Sequence, residues 1–184
     1  MSEVSGSVRS AVLVVDFQQG VVRGAFDAPG VLARTQSLVE RARHEQTPVI
    51  WVQHEEDEMP KDSADWQLAD PLRPRPDEVR IYKTYRDAFA DTPLRETLHR
   101  LQVGRLVVVG SQSDFCVRTA ASRAAADGFD VVLVSDCHTT TDCTYDGITV
   151  RGEQVVAQTN AYFAGLRYPG QTFAVLPHDQ VPLR

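Results

Sequence analysis

Cys116 lies in the stretch LVVVGSQSDFCVRTAASRAAADG, Leu106 to Gly128. Its opening run, Leu106 to Val109, is apolar and β-branched and ends at Gly110, as a strand buried on both faces does. A polar turn, Ser111 to Asp114, leads into a small-residue helix expected from Phe115 to Asp127 and stopped by Gly128. That places Cys116 in a first helical turn just past a central strand. Unpaired N–H groups and the helix dipole there favour a thiolate, drawing a thiol below its usual ~8.5. A lone cysteine could equally be a small core thiol. Two other strand ends add to it. Asp16 closes AVLVVD and Lys83 closes VRIYK. Alone, Asp16 could be a turn cap and Lys83 a solvated strand end. Together with a thiol they are the parts of an activated nucleophile: the carboxylate takes the proton and the ammonium balances the charge. None of the five histidines has an equally convincing position; His54 is the nearest contender.

The elements that must position these groups can be read in order. Apolar strands are expected at 11–16, 49–52 (VIWV), 79–83, 106–109, 130–136 (DVVLVSD) and 173–176. An amphipathic helix begins near Pro29, with Val31, Leu32, Leu38, Val39 and Ala42 on its buried face. Thr92 and Pro93 start a second helix, stopped by Gly104, and residues 151–166 form the last. Between His54 and Glu78 the chain is acidic and then proline-rich. A helical turn near Ala64 to Leu68 could make it a wall or lid of a site. Asp142 to Gly147 reads as a turn-rich loop. Strand and helix alternate almost throughout, which predicts an α/β fold: three α/β/α layers around a mostly parallel, Rossmann-like six-stranded sheet. One domain spans residues 1–184, with Met1 to Ser10 as a loose tail. In such sheets ligands bind beyond the carboxyl ends of the strands, where the strand order reverses.

A chain of 184 residues, 42% hydrophobic and 24% charged, can bury a sizeable core. Its net charge of −6 opposes binding to nucleic acid. The apolar runs are strand-sized, so no membrane span is expected. Three cysteines, an odd number, without an export signal fit a reducing cytoplasm. No G-x-G-x-x-G follows the first strand, which leaves a dinucleotide-binding module little support.

The segments AVLVVDFQQG, YKTYRDAFADTPL and VVVGSQSDFCVRTA, in this order, resemble the isochorismatase-like family of cysteine hydrolases, which includes nicotinamidases and N-carbamoylsarcosine amidases. VIWVQH, DWQL at 65–68 and SDCHTT at 135–140 extend the similarity from about Ala11 to Leu166. The resemblance implies a triad of Asp16, Lys83 and Cys116. It also implies a cis Ser111–Gln112 bond that aims the Gln112 N–H beside that of Cys116 as an oxyanion hole. The implied reaction is attack of the thiolate on a small amide or carbamoyl carbonyl, with a thioester intermediate and no cofactor. Nicotinamidases carry an Asp-x-His metal motif after the second strand; here the chain reads Gln53-His54-Glu55-Glu56, so no catalytic metal is expected. Isochorismatase itself lacks the cysteine, so Cys116 argues against vinyl-ether hydrolysis. Phe17, Val21, Trp66, Tyr85, Phe89, Ser111 and Phe115 lie in the motif-bearing segments and are the candidate substrate contacts. Relatives are commonly dimers or tetramers, so a homo-oligomer is expected. Cys137, His138 and Cys143 match no established metal-ligand spacing. A competing reading keeps the fold and makes Cys116 a redox or binding thiol without turnover.

Overall fold

The computed structural model describes residues 8–184. Six strands form one parallel sheet: β1 (Ser10–Val15), β2 (Val49–His54), β3 (Val79–Lys83), β4 (Arg105–Ser111), β5 (Asp130–Thr139) and, after the two strands of a separate hairpin, β8 (Phe173–Leu176). Their spatial order is β3-β2-β1-β4-β5-β8, and every pairing is parallel.

Alternate residues along each central strand go to opposite layers. Ala11, Leu13 and Val15 join Leu106 and Val108 in one cluster, whereas Val12 and Val14 join Val107 and Val109 in the other. Burial on both faces is why these strands read as continuous apolar runs rather than alternating ones. Helix α2 (Ala28–His44) covers one face with Val31, Leu32, Leu38, Val39 and Ala42, the stripe expected from its sequence. The other face is covered by α3 (Leu94–Arg100), the four buried alanines of α4 (Arg118–Ala126), and Phe163 of α5 (Gly152–Gly165). The small side chains of these alanines let α4 pack flat against the sheet.

Gly110 shows how tightly β1 and β4 meet. With φ at +152°, a Cβ placed there would lie 2.3 Å from the Val15 carbonyl oxygen. Only glycine fits beside the residue that precedes Asp16.

Several local expectations differ from the structure. Ser10 opens β1 and is buried, so the loose tail does not reach it; residues 1–7 lie outside the described residues. A short helix α1 (Gln19–Val22) begins three residues past Asp16, an element the sequence did not mark. The segment around Ala64 to Leu68 holds turns and an isolated bridge from Leu68 to Gln18, with no helix. β5 runs on to Thr139, three residues past Asp136, through an irregularity in its pairing with β4. Residues 142–147 form part of an exposed hairpin, β6 (Cys143–Tyr145) and β7 (Ile148–Val150). Its turn residues Asp146 and Gly147 have φ of +50° and +74°, as a two-residue I′-type turn requires.

Candidate active site

Strand order reverses between β1 and β4, because β1 leads to β2 on one side and borders β4 on the other. Asp16 directly follows β1, and the Cys116 turn directly follows β4. Both therefore sit at the crevice where parallel sheets bind ligands. Asp16 has φ of +50°, a left-handed bend that takes the chain off the sheet edge immediately after the last core residue. Its N–H donates to the Val52 carbonyl at 2.9 Å, tying that bend to β2.

Lys83 is two strands away from β1. Neighbouring strands lie about 4.8 Å apart, so only a long side chain can cross the end of β2 and reach Asp16. The Lys83 Nζ atom arrives 2.6 Å from Asp16 Oδ2 and 3.4 Å from Cys116 Sγ. On the way it passes His54, its register partner on β2, with Nζ 3.3 Å from His54 Nδ1. The three groups expected at the strand ends thus converge, and His54 makes a fourth.

Burial sets their electrostatics. The side chains of Lys83 and Asp16 are 0% and 1% exposed. Loss of hydration pushes the Asp16 carboxyl above its ordinary value, against the pull of the Lys83 charge, so this acid is a stronger base than a surface carboxylate. Lys83 and Cys116 both reach the carboxylate, but neither oxygen is saturated by a well-aligned hydrogen bond. An acceptor with spare capacity is what a proton transfer needs.

The thiol behaves differently from the sequence-based expectation. Desolvation, followed by the neighbouring Asp16 charge, pushes Cys116 up to about 12. Cys116 does lie in the first turn of a helical segment, a π-helical turn Ser113–Val117 that runs directly into α4 at Arg118, but burial outweighs the helix end. The Gln112 carbonyl accepts from the N–H groups of Phe115 and Val117, at 3.1 and 3.2 Å. At rest the cysteine is therefore a thiol beside an ion pair.

The Ser111–Gln112 peptide is cis. Gln112 and Val21 line a cavity of about 320 Å3 together with Met59, Glu56, Glu58 and Thr141. Glu56 links this cavity back to the polar centre, because its Oε2 lies 3.6 Å from His54 Nε2.

The remaining candidate contacts scatter. Phe17 is fully buried in the α2-side core, and Phe89 packs against Phe129 in the opposite layer, so neither faces the cavity. Proximity to a motif did not fix the direction of their side chains. Trp66 borders a separate depression of about 430 Å3 with Gln53 and Arg80. Tyr85 is exposed, and Phe115 lies under the Arg86 guanidinium at 4.0 Å. The Ser111 hydroxyl donates to the Thr139 carbonyl at 3.3 Å.

Gln18 was not singled out from the sequence. Fully buried, it donates to the His54 carbonyl at 2.8 Å and accepts from the His54 N–H at 2.7 Å. This pairing extends the sheet edge by one side chain and fixes His54 against Lys83. FQQG offers two adjacent glutamines, and nothing local marks which of them turns inward.

The histidine and acids near β2 make a poor cation site, since His54 Nδ1 faces the Lys83 Nζ. Among the described residues, potential metal ligands gather only at Asp136, Cys137 and His178. There Arg34 Nε already lies 3.7 Å from Asp136 Oδ2, and His178 Nδ1 lies 2.7 Å from the same oxygen. Burial pushes the Cys137 thiol up to about 12, which further disfavours ligation.

Known proteins resemble this chain in sequence and fold. A streptothricin hydrolase of Streptomyces noursei is 38% identical over 138 residues, covering 72% of this chain and 55% of that protein. The chain thus spans about half the length of the streptothricin hydrolases it matches. A maleamate amidohydrolase of Pseudomonas putida is 29% identical over 154 residues, 70% of this chain and 71% of that protein. The crystal structure of an isochorismatase from Pseudomonas putida superposes with a TM-score of 0.84 at 26% identity, over 95% of this chain and 90% of its own. The Isochorismatase domain profile matches residues 10–156, a span that holds Asp16, Lys83 and Cys116. The superposition shares the fold and the profile covers most of the chain, which belongs to the isochorismatase-like hydrolase family.

Proposed function

We propose that this protein is a cysteine-dependent hydrolase of a C–N bond in a small amide or carbamoyl compound. The observation that carries the reading is the buried Asp16–Lys83 pair with Cys116 Sγ 3.4 Å from the lysine nitrogen. A dry ion pair is costly to keep for stability alone. One placed against a thiol has a use.

In the proposed reaction the Cys116 proton moves to Asp16 as sulfur attacks the carbonyl carbon. The raised proton affinity of Asp16 narrows the gap to a thiol held near 12. Lys83 stays charged beside the new thiolate and offsets the lost carboxylate charge. The backbone N–H groups of Gln112 and Cys116 hold the tetrahedral oxyanion. Its collapse breaks the C–N bond, and Asp16 returns the proton to the departing ammonia or amine. A thioester remains on Cys116. Water then attacks it, giving a proton to Asp16 that finally returns to sulfur as the acid leaves.

The maleamate-hydrolysing relative makes primary amides the first class to screen. The high proton affinity of the thiol disfavours a redox sensor, since such cysteines are acidic and largely thiolate at neutral pH.

Ammonia release from a panel of small amides and carbamoyl compounds, maleamate included, tests the reading. Wild type is expected to release ammonia from at least one, and Cys116→Ala to lose about 10³-fold or more while keeping its fold. Full activity in Cys116→Ala would overturn it. So would an inert wild type whose Cys116 instead cycles through a reversible disulfide.

A further inference from the structure

Four consecutive residues at the turn before the nucleophile are each tied by a side chain to the end of β5. The Ser111 hydroxyl donates to the Thr139 carbonyl at 3.3 Å. The Gln112 side-chain amide donates to Thr141 Oγ1 at 3.2 Å. Ser113 Oγ lies 2.8 Å from His138 Nδ1, and Asp114 Oδ1 accepts from Thr140 Oγ1 at 2.8 Å. Beyond the seam, His138 Nε2 lies 2.9 Å from Asn160 Oδ1 on α5, and Asn160 Nδ2 donates to the Ser135 carbonyl at 3.0 Å.

The direction of each bond in the Ser113–His138–Asn160 chain is fixed. The Asn160 amide nitrogen is committed to a carbonyl, so its oxygen must face His138 Nε2 and accept from it. A neutral imidazole protonated on Nε2 leaves Nδ1 as a lone pair, which accepts the Ser113 hydroxyl proton. Burial lowers the proton affinity of His138, whose ring is 1% exposed, and keeps it neutral. Serine, histidine and asparagine in this order resemble a nucleophilic triad. Ser113 is fully buried, however, and its hydroxyl is spent on His138. A shielded relay of this kind holds a position; it does not attack a substrate.

We infer that Ser113, His138 and Asn160 are positioning residues that fix the Gln112 N–H as an oxyanion donor. This rests on the hydrolase reading above. The Gln112 N–H belongs to the Ser111–Gln112 peptide, and both residues flanking that plane are anchored by a side chain, with Ser113 anchored on the far side of Gln112. Because Ser113 is also the first residue of the turn that carries Cys116, one anchor holds both N–H groups of the hole. The seam ties them to a central strand and, through Asn160, to α5 instead of leaving them on a free loop. Asn160 never touches the reacting atoms and acts only through the ring.

Ser113→Ala and Asn160→Ala separate positioning from bulk stability through two reactions of the same sulfur. Hydrolysis passes through an oxyanion; alkylation of Cys116 by iodoacetamide does not. Each variant is expected to lose on the order of tenfold to a hundredfold in kcat, the cost of a donor displaced by about an ångström. KM and the alkylation rate should stay within about twofold, and Ser113→Ala should lose the more. If an unpaired His138 Nδ1 unfolds Ser113→Ala, Asn160→Ala keeps the inference testable, because Asn160 is half-buried and water can take its place at His138 Nε2. An unchanged kcat, or kcat and alkylation falling together, would overturn the inference. An amidase-inactive wild type would instead count against the hydrolase reading, and that result appears before any variant is made.

Discussion

Asp16→Asn is expected to make the protein a far poorer hydrolase and its cysteine a more reactive thiol. Turnover should fall by about 10²–10⁴-fold, the usual worth of a general base. The thiol should move the other way. Its high proton affinity comes from desolvation first and from the Asp16 charge second, while Lys83 opposes both. Removing the carboxylate leaves a buried ammonium 3.4 Å from sulfur with no other carboxylate paired to it among the described residues. Cys116 becomes the partner that Lys83 lacks. Each unit by which the thiol then falls multiplies its thiolate fraction tenfold. Iodoacetamide kinetics at pH 7 should therefore accelerate, by at least about tenfold, in the variant that has lost turnover. Loss of both together would mean that Cys116 is alkylated only after handing its proton to Asp16, and that the carboxylate charge is not what keeps the thiol protonated. In wild type the same logic gives activity that rises with pH through a range above the ordinary carboxylate value of 3.8, as the elevated Asp16 ionises.

Lys83→Met should cost both activity and stability. The ion pair is almost wholly excluded from water, so removing one partner strands the other. Breaking a buried pair in this way costs about 3–5 kcal/mol, whereas an exposed pair is worth under about 1. The pH dependence has a definite sign. An unpaired Asp16 is held still further above its unfolded value, so the folded state binds the proton more tightly than the unfolded chain. Its contribution is intact below the unfolded value and is lost as pH rises through the folded one. Chemical denaturation should find Lys83→Met much weaker than wild type at pH 8 and closer to it near pH 4.5. A uniform deficit across that range would show that the methionine disturbs packing and that charge burial is not the cause. Turnover should be lost at every pH, because nothing then balances the thiolate.

Much of the fold was legible because burial on both faces writes itself into composition. AVLVVD, VIWV and LVVV could be little other than central parallel strands, and the α2 stripe of Val31, Leu32, Leu38, Val39 and Ala42 is the face that covers them. The topology then brings Asp16 and Cys116 to one crevice without further information. What lay beyond the sequence were distances perpendicular to the chain. Nothing in VRIYK says that Lys83 must lean across β2, or that His54 stands in its path. The depth at which Cys116 lies decided its proton affinity against the expected effect of a helix end, and depth is a property of packing. Phe17 and Phe89 went to the core because strand and turn geometry fixes side-chain direction in ways a motif does not. The hairpin at 143–150 was signalled by Asp146-Gly147, but its three-residue strands are exposed on both faces and carry no alternation. The seam from Ser113 to Asn160 joins residues 47 positions apart through single hydrogen bonds, for which no periodicity exists.

A covalent intermediate on one sulfur is the centre of the proposed reaction. Acid quenching of wild type during turnover of a small amide, followed by peptide mass analysis, should find the acyl group of the substrate on the peptide carrying Cys116, with ammonia released in step. An acyl group on another residue, or steady ammonia release with Cys116 unmodified under conditions that trap a known thioester enzyme, would contradict it.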